Sequence, residues 1–444
     1  MIKGRRVAAV ALAFGLLSGG VNPHSLGRAD RNLSDSGSPI MGDTVSRQPS
    51  TEPPPEDSLP VRRATPAQAL PAQGAARAKR PPKGTIHVRS RYIKHYQAKR
   101  ASWNEVIKSG KRLGKVSSRC ARRWRRSGRD RRLNWKSVSY RCMSGFKGKG
   151  FLPQGIAGSA TTRRYGVGAE PAATRNIVLT SWYSRAQEKG LFAPNRAGES
   201  VTRVLVMDMG KRRYNQVELV RPDGRNRLRH MGSHGSGLVW AGQYIYLSSK
   251  SVLFMYNADD ILKIRGRYVL PAVARWTVHG SGGLSSISLD RSASPDQLRG
   301  INYTKTGQAY VQSFTLRKSG LLASNRRRTA HDLFLRNRWG EKGRVVHSIR
   351  SLRIPGTSYQ GVGAAGRYIF VNSSGMRLRA RTKKVDALAV FNRGRLVGRF
   401  RLPRRHIESI YIDYKRGTYT TITEGGSQFI FAMPLRRIVQ KTGR

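Results

Sequence analysis

Acidic residues are scarce in this sequence: Asp and Glu number 24, against 84 Lys and Arg, in 444 residues. The formal net charge of +60 indicates contact with acidic material such as an anionic polymer, nucleic acid or anionic lipid. The few carboxylates are dispersed, and no nucleophile elbow, P-loop or dinucleotide fingerprint occurs in a strand–turn–helix setting. We therefore predict no metal and no cofactor, and binding rather than catalysis as the function.

Long apolar runs are also missing, apart from one at the N-terminus. Residues 7–17 (VAAVALAFGLL) follow a basic start and match the hydrophobic part of a secretory signal, because eleven residues are too few to cross a bilayer core of about 30 Å. We predict a signal peptide over 1–21 and a secreted, extracellular or cell-wall-associated protein. An uncleaved anchor is the alternative.

Cysteine is limited to Cys120 and Cys142. In an exported chain such a pair predicts one disulfide, with two free thiols as the alternative. The stretch between them contains no His and a single acid, Asp130, so it lacks the ligands of a zinc site.

Two N-terminal segments precede the regular part of the chain. Residues 22–89 are rich in Pro, Ala, Gln and Ser and show no hydrophobic period, which predicts a disordered spacer. Residues 90–149 contain 20 Lys and Arg against two acids, which predicts a basic arm. A solvated arm without a partner is the alternative to a polyanion site. The residues predicted to contact a polyanion are Arg122, Arg123, Trp124, Arg125, Arg126, Arg129, Arg131 and Arg132.

The partner we predict for this arm is an anionic polymer or polysaccharide of the cell envelope. No zinc-finger, homeodomain or RNA-recognition signature is present, so any binding of nucleic acid would be non-specific.

Residues 150–444 consist of short β-like runs separated by turn residues, without room for crossover helices, which predicts an all-β fold with antiparallel neighbours. A short opening motif recurs, and each copy is followed by an aromatic strand and further strands, as in the blades of a β-propeller. Five blades are favoured, and two long gaps leave room for a sixth. The last blade lacks an outer strand, for which residues 135–142 (WKSVSYRC) are the candidate. The openings are Gln154-Gly155-Ile156, Ser236-Gly237-Leu238, Ser285-Ser286-Ile287, Gln360-Gly361-Val362 and Glu408-Ser409-Ile410.

These runs resemble a group of exported actinobacterial propeller-like proteins of unassigned function. The resemblance covers about 145–440 and implies a propeller and secretion, but no activity. The long basic arm and the high Arg content depart from the group. The runs that carry it are FLPQGI, NIVLTSWYS, HGSGLVWAGQYIYLSS, SSISLDRS, YQGVGAAGRYIFVNSS and ESIYIDYKRGTYTTITEG.

The openings of the inner strands of a propeller converge at one mouth of its central channel. A polar ring there suits a small polar ligand, a sugar or a cation. Mutual hydrogen bonding or bound water is the alternative. Glu408 with His234 is the candidate pair for a hydrolase, although a glycosidase would need a second carboxylate on an inner strand. The ring residues predicted to bind ligand are Gln154, His234, Ser236, Ser286, Gln360 and Glu408.

Overall fold

The computed structural model describes thirteen stretches of the chain, all within the unit Ser58–Arg444. The predicted signal peptide and nearly all of the predicted spacer lie outside them. In these stretches no helix has the length and hydropathy needed to cross a bilayer. The described residues are 88–143, 150–159, 176–184, 191–192, 201–223, 227–279, 283–304, 308–323, 334–337, 345–377, 384–403, 406–425 and 428–442.

Helices occur before and after the strands of the propeller. A 3-10 turn spans Trp135–Ser137. The helices are α1 (Val88–Tyr96), α2 (Trp103–Lys108), α3 (Ser118–Arg125) and α4 (Leu435–Val439).

The strands are named here in chain order. Three short strands precede β4 in the chain: β1 (Lys99–Arg100), β2 (Lys111–Arg112) and β3 (Ser139–Cys142). The next ten are β4 (Phe151–Gly158), β5 (Ile177–Ser184), β6 (Thr202–Asp208), β7 (Arg213–Asp223), β8 (Arg227–His230), β9 (Gly237–Ala241), β10 (Tyr244–Ser249), β11 (Val252–Asn257), β12 (Leu262–Ile264) and β13 (Arg267–His279). The rest are β14 (Ser286–Asp290), β15 (Gln297–Ile301), β16 (Gln308–Thr315), β17 (Phe334–Asn337), β18 (Val345–His347), β19 (Arg350–Pro355), β20 (Tyr359–Ala365), β21 (Tyr368–Arg377), β22 (Lys384–Asn392), β23 (Arg395–Arg401), β24 (Ile407–Asp413), β25 (Thr418–Thr423) and β26 (Phe429–Pro434).

The strand order is that of a β-propeller, as predicted, with five blades in the described residues. From the inside outward, blade 1 is β4-β5-β6-β7, blade 2 is β9-β10-β11-β13, blade 3 is β14-β15-β16-β19, blade 4 is β20-β21-β22-β23 and blade 5 is β24-β25-β26-β3. Each inner strand contacts the inner strands of both neighbouring blades, which closes the ring. The long segment between the third and fourth opening motifs contains β17 and β18. Strand β17 pairs with β13 on the outside of blade 2, and β18 pairs with β17. No sixth blade appears among the described strands.

The recurring opening motif has a steric cause at the propeller axis. Its second position is always Gly or Ser, because the inner strands approach each other most closely there. A Cβ atom on Gly237 would lie 2.3 Å from the backbone nitrogen of Ile287. The hydroxyls of Ser286 and Ser409, on the non-adjacent blades 3 and 5, are 3.3 Å apart, so small side chains fill the channel at this level. The third position is a buried aliphatic residue in every blade.

The N-terminal segment closes the ring. Strand β3 pairs antiparallel with β26 as the outer strand of blade 5, which confirms the prediction for 135–142. The predicted disulfide between Cys120 and Cys142 is formed, and it joins α3 to this closing strand. A structural disulfide fits an oxidising, extracellular environment.

Removing this disulfide should weaken the attachment of α3 and β3 to blade 5. We expect the double variant Cys120→Ser/Cys142→Ser to lose about 3 kcal/mol in free energy of unfolding, because the bond closes a loop of 22 residues. Urea unfolding of the variant and of the reduced wild type measures this loss. Equal midpoints for oxidised and reduced protein would contradict it.

The predicted basic arm is folded onto the blades and is not a separate arm. Helix α2 starts at the N-cap Ser102 and buries Trp103, Val106 and Ile107, which lie at helical spacing and form an apolar face. The indole nitrogen of Trp103 donates to the carbonyl of Ala258 in blade 2. The local run of charge in the sequence concealed this apolar face.

Candidate functional site

Three of the five inner strands carry a β-bulge at the opening motif. The register of β4 against β5 shifts between Pro153 and Ile156, that of β20 against β21 between Tyr359 and Gly361, and that of β24 against β25 between Ile407 and Ile410. Strands β9 and β14 pair without such a shift. The bulged strands belong to the consecutive blades 4, 5 and 1. We name their first-position residues, Gln360, Glu408 and Gln154, the bulge arc.

Bulges free backbone groups from the sheet and redirect side chains, which is why they are common beside functional sites. Here polar side chains bind the freed groups. The Asn372 amide donates to the carbonyl of Glu408 (2.6 Å), and the Thr421 hydroxyl donates to that of Ser409 (2.8 Å). In blade 1 the backbone N–H of Gly155 donates to the Ser181 hydroxyl (2.8 Å). The arc is therefore held by a buried network rather than by loops.

Glu408 lies at the centre of the arc and is 1% exposed. Burial raises the pKa of its carboxyl well above the ordinary value, and the carboxylates of Glu424 and Asp386 raise it further. A hydrogen bond between its carboxyl and that of Glu424 raises the pKa of Glu408 as well. The Oε2 atom of Glu408 is buried and has no hydrogen-bond partner within the described residues.

Two aromatic side chains continue the site toward solvent. The hydroxyl of Tyr183, near the end of β5, donates to Oε1 of Glu424 across the boundary between blades 1 and 5 (3.2 Å). The imidazole of His234 stacks on the Tyr183 ring with centroids 4.1 Å apart, and His234 is exposed. We name Glu424, Tyr183 and His234 the rim cluster.

The loop that carries His234 is fixed by buried hydroxyls. The Thr202 hydroxyl contacts the carbonyls of Met231 (2.7 Å) and Ser233 (2.6 Å). The Ser181 hydroxyl, which binds the bulge of blade 1, also donates to the carbonyl of Gly235 (2.6 Å). The Ser181 hydroxyl thus holds both the bulge of blade 1 and the loop of His234, so the position of His234 is linked to that of Gln154.

The structure separates the predicted ring residues into two levels. Gln154, Ser236, Gln360 and Glu408 occupy the first motif position, with Ser236 and Gln360 partly exposed. Ser286 does not belong with them, because it occupies the second, axial position and is fully buried. Its place in the ring is taken by Ser285, whose hydroxyl donates to Ile301 (2.8 Å).

Sequence reasoning missed Glu424 and Tyr183. Tyr183 lies near the end of β5, and Glu424 lies directly after β25. In both blades, this end of the second strand lies beside the opening motif of the first strand. Counting back along those hairpins would have placed both beside the mouth, but their mutual contact depends on how blades 5 and 1 meet.

A second candidate site is the solvent side of α3. The helix begins at the N-cap Ser117, whose hydroxyl accepts from Cys120 N–H, and arginines in its last turn are favourable at a helix C-terminus. Trp124 is buried against Tyr140, Phe429 and Phe431. The opposite side exposes four arginines, which make no ion pair within the described residues: Arg119, Arg122, Arg125 and Arg126. We name these four the arginine face.

The predicted polyanion set is therefore corrected. Trp124 belongs to the core, so its ring cannot stack on a ligand. Arg129 packs over Trp124 and Trp135, and Arg132 pairs with Asp130 at 2.9 Å. Of the remaining members, Arg122, Arg125, Arg126 and Arg131 are exposed and Arg123 is partly buried.

The geometry does not favour the hydrolase that pairs Glu408 with a second carboxyl. Two-carboxylate glycosidases separate these groups by about 5–5.5 Å or about 6.5–9.5 Å to admit sugar or water. Glu408 and Glu424 are hydrogen-bonded to each other, and Glu408 is shielded from solvent. Across the described ranges no group of three or more His, Cys, Asp or Glu is arranged to hold a metal ion.

Comparisons with known proteins give fold likenesses only. No protein-family model matches the sequence, and no curated protein matches it. A crystal structure of a putative 6-phosphogluconolactonase from Bacteroides uniformis aligns with 57% of this chain and 76% of its own, at 9% identity and a TM-score of 0.30. The Cps50 (Swd1) β-propeller domain of Myceliophteria thermophila aligns with 65% of this chain and 97% of its own, at 11% identity and a TM-score of 0.25. The propeller assignment is carried by the strand order given above.

Proposed function

We propose that this chain is a secreted, cationic binding protein of the cell envelope and that it recognises an anionic polymer through the arginine face. The observation that carries this proposal is the rigid mounting of α3. Trp124 and the Cys120–Cys142 disulfide hold the helix, while four arginines without ion-pair partners in the described residues face solvent. Such a preformed cationic surface loses little conformational entropy on binding.

A carbohydrate ligand at the propeller mouth is the second candidate function, favoured by the bulge arc. Amide and carboxyl groups beside an exposed aromatic ring are typical of small polar ligand sites. A hydrolase at the mouth and a non-specific nucleic-acid binder remain alternatives to these two. Export stays a prediction that agrees with the disulfide. Membership of the exported propeller-like group stays a prediction.

The arginine face is tested by removing its charge. We expect the triple variant Arg119→Gln/Arg122→Gln/Arg126→Gln to bind isolated cell wall, heparin and duplex DNA more weakly than wild type at low salt. On DNA, the slope of log Kobs against log salt should become shallower by about 2–3, since each phosphate contact contributes about 0.9. Binding measured by fluorescence anisotropy between 50 and 300 mM salt gives both the affinity and the slope.

The matched control removes the same charge elsewhere. Arg350, Arg353 and Arg395 are exposed arginines on the outer strands of blades 3 and 4. The variant that changes all three to Gln should keep most of the affinity and slope. If both triple variants weaken binding equally, net charge alone determines affinity and the arginine face has no special role. Preference for DNA over cell wall at high salt would favour the nucleic-acid alternative.

A further inference from the structure

We infer that Arg141 and Arg212 form a second site for an anionic group, and that the partner of this protein is a flexible linear polyanion. Such a chain would reach from the arginine face round the outer edge of blade 5 to this second site. The inference rests on the proposed function and deepens it, because it specifies the kind of polymer and a further place of contact. It uses residues outside the arginine face, so the two proposals can fail separately.

Two guanidinium groups are held close together beside the outer strand of blade 5. Nη1 of Arg141, on β3, donates to the carbonyl of Gly114 (3.3 Å), and Nη2 of Arg212, in the turn between β6 and β7, donates to the carbonyl of Leu113 (3.4 Å). The backbone N–H of Leu113 donates in return to the carbonyl of Arg212 (2.7 Å). Neither guanidinium makes an ion pair with a described residue. One short segment of backbone thus fixes both cations at one place.

The positive charges of this pair are unfavourable for each other. Burial lowers the pKa of Arg141, and the charge of Arg212 lowers it further. The acid nearest to Arg212 along the chain, Asp208, is buried and accepts from the backbone N–H of Lys211 instead (2.8 Å). An oxyanion of a ligand would offset this repulsion. Phosphate and carboxylate groups both match the planar fork of arginine, which donates two parallel hydrogen bonds to them.

The disulfide limits the distance between this pair and the arginine face. Arg119 directly precedes Cys120, Arg141 directly precedes Cys142, and the Cα atoms of the two cysteines are 6.0 Å apart. Since consecutive Cα atoms are about 3.8 Å apart, the Cα atoms of Arg119 and Arg141 are separated by at most about 14 Å. One polymer chain can therefore contact both sites, and the second contact becomes intramolecular, which strengthens the overall binding.

The path between the two sites bends round the edge of a strand. Successive side chains of a strand point to opposite faces, so Arg141 lies on the face of blade 5 opposite to Cys142 and α3. Residues 114–118 connect the two faces, and all of them are exposed, including Lys115. A flexible chain can follow this path. A DNA duplex cannot, because its persistence length of about 50 nm far exceeds the size of the bend.

The test measures binding of the full chain to labelled single-stranded oligothymidylate, a flexible polyanion, and to duplex DNA of the same length, between 50 and 300 mM salt. For Arg141→Gln/Arg212→Gln we expect the slope of log Kobs against log salt to become shallower by about 1–1.5 on the single strand, since each phosphate contact contributes about 0.7. On the duplex the slope should stay at the wild-type value. The arginine-face triple variant should lose slope on both probes. Combining the two sets of changes should add their losses on the single strand, because one chain contacts both sites.

Two control variants separate this site from net charge and from loop position. Arg141→Lys/Arg212→Lys keeps both charges and should keep the slope. Arg350→Gln/Arg395→Gln removes two exposed charges from the outer strands of blades 3 and 4 and should behave as wild type. Thermal unfolding of each variant shows that it is folded.

Four results would overturn the inference. They are an unchanged single-strand slope in Arg141→Gln/Arg212→Gln, an equal loss of slope on the duplex, an equal loss in the variant of blades 3 and 4, and an equal loss in the lysine variant. The proposal for the arginine face would survive the first of these results if its own triple variant still weakened binding. If neither set of changes altered binding, both proposals would fail.

Discussion

Glu408→Gln is expected to unfold at a higher urea concentration than wild type at pH 8, and this advantage should shrink as the pH falls toward 4. In the folded protein, burial and the carboxylates of Glu424 and Asp386 raise the pKa of Glu408, so this residue holds its proton to a higher pH than it does in the unfolded chain. In the unfolded chain the carboxyl ionises with a pKa of about 4.3. Between these two pKa values the folded state binds more protons, so wild-type stability falls as pH rises, by about 1.4 kcal/mol per pH unit.

The glutamine variant avoids this loss because its amide does not titrate, yet its N–H can still donate to Glu424. Paired urea titrations at pH 4, 6 and 8 isolate the effect, since other titrating groups are common to both proteins. Glu105→Gln is the control, because that side chain is 42% exposed in its contact with Lys263 and should show no such gain. A Glu408→Gln protein less stable than wild type at pH 8 would mean that Glu408 is ionised and stabilised in the folded state.

The architecture of this protein is encoded by a local pattern, whereas its candidate sites are not. The opening motif repeats because the inner strands approach the axis closely enough to exclude side chains beyond Ser, so sequence spacing was sufficient to count blades. The closing strand was predictable for a related reason, since the last blade otherwise exposed an unpaired edge. The difference of one residue between a ring position and an axial position was not predictable: Ser285 and Ser286 are chemically alike, and only their register separates them.

The candidate sites depend on contacts between distant parts of the chain. Tyr183 and Glu424 meet across 241 positions because the first and last blades are neighbours in the closed ring. The basic segment was misjudged for a different reason. Its net charge dominates its composition, whereas Cys120 and Trp124, four residues apart on one side of α3, determine how it packs. A search for helical apolar spacing within the charged run would have found that side.

Trp124→Ala is expected to be among the most damaging single substitutions in the chain, with a loss of about 3–5 kcal/mol in free energy of unfolding. The indole is 2% exposed and lies 4.6 Å from the Tyr140 ring of the closing strand, as well as against Phe429 and Phe431 of β26. Its removal therefore leaves a cavity between α3 and both strands that close the propeller. Trp135, which is only partly buried, is the control, and Trp135→Ala should cost less.

This substitution also connects the closure to both candidate sites. Without Trp124 the helix is held chiefly by its disulfide, so a combination with Cys120→Ser/Cys142→Ser should be non-additive, since all three changes release the same helix. Far-ultraviolet circular dichroism during urea unfolding measures these losses without depending on tryptophan emission. Polyanion affinity should fall because α3 is no longer held in place. The pH-dependent stability due to Glu408 should weaken as well, because Glu424 follows β25, which pairs with β26. Unchanged polyanion binding by a folded Trp124→Ala protein would show that the arginines bind through their charge alone and do not need the fixed position of α3.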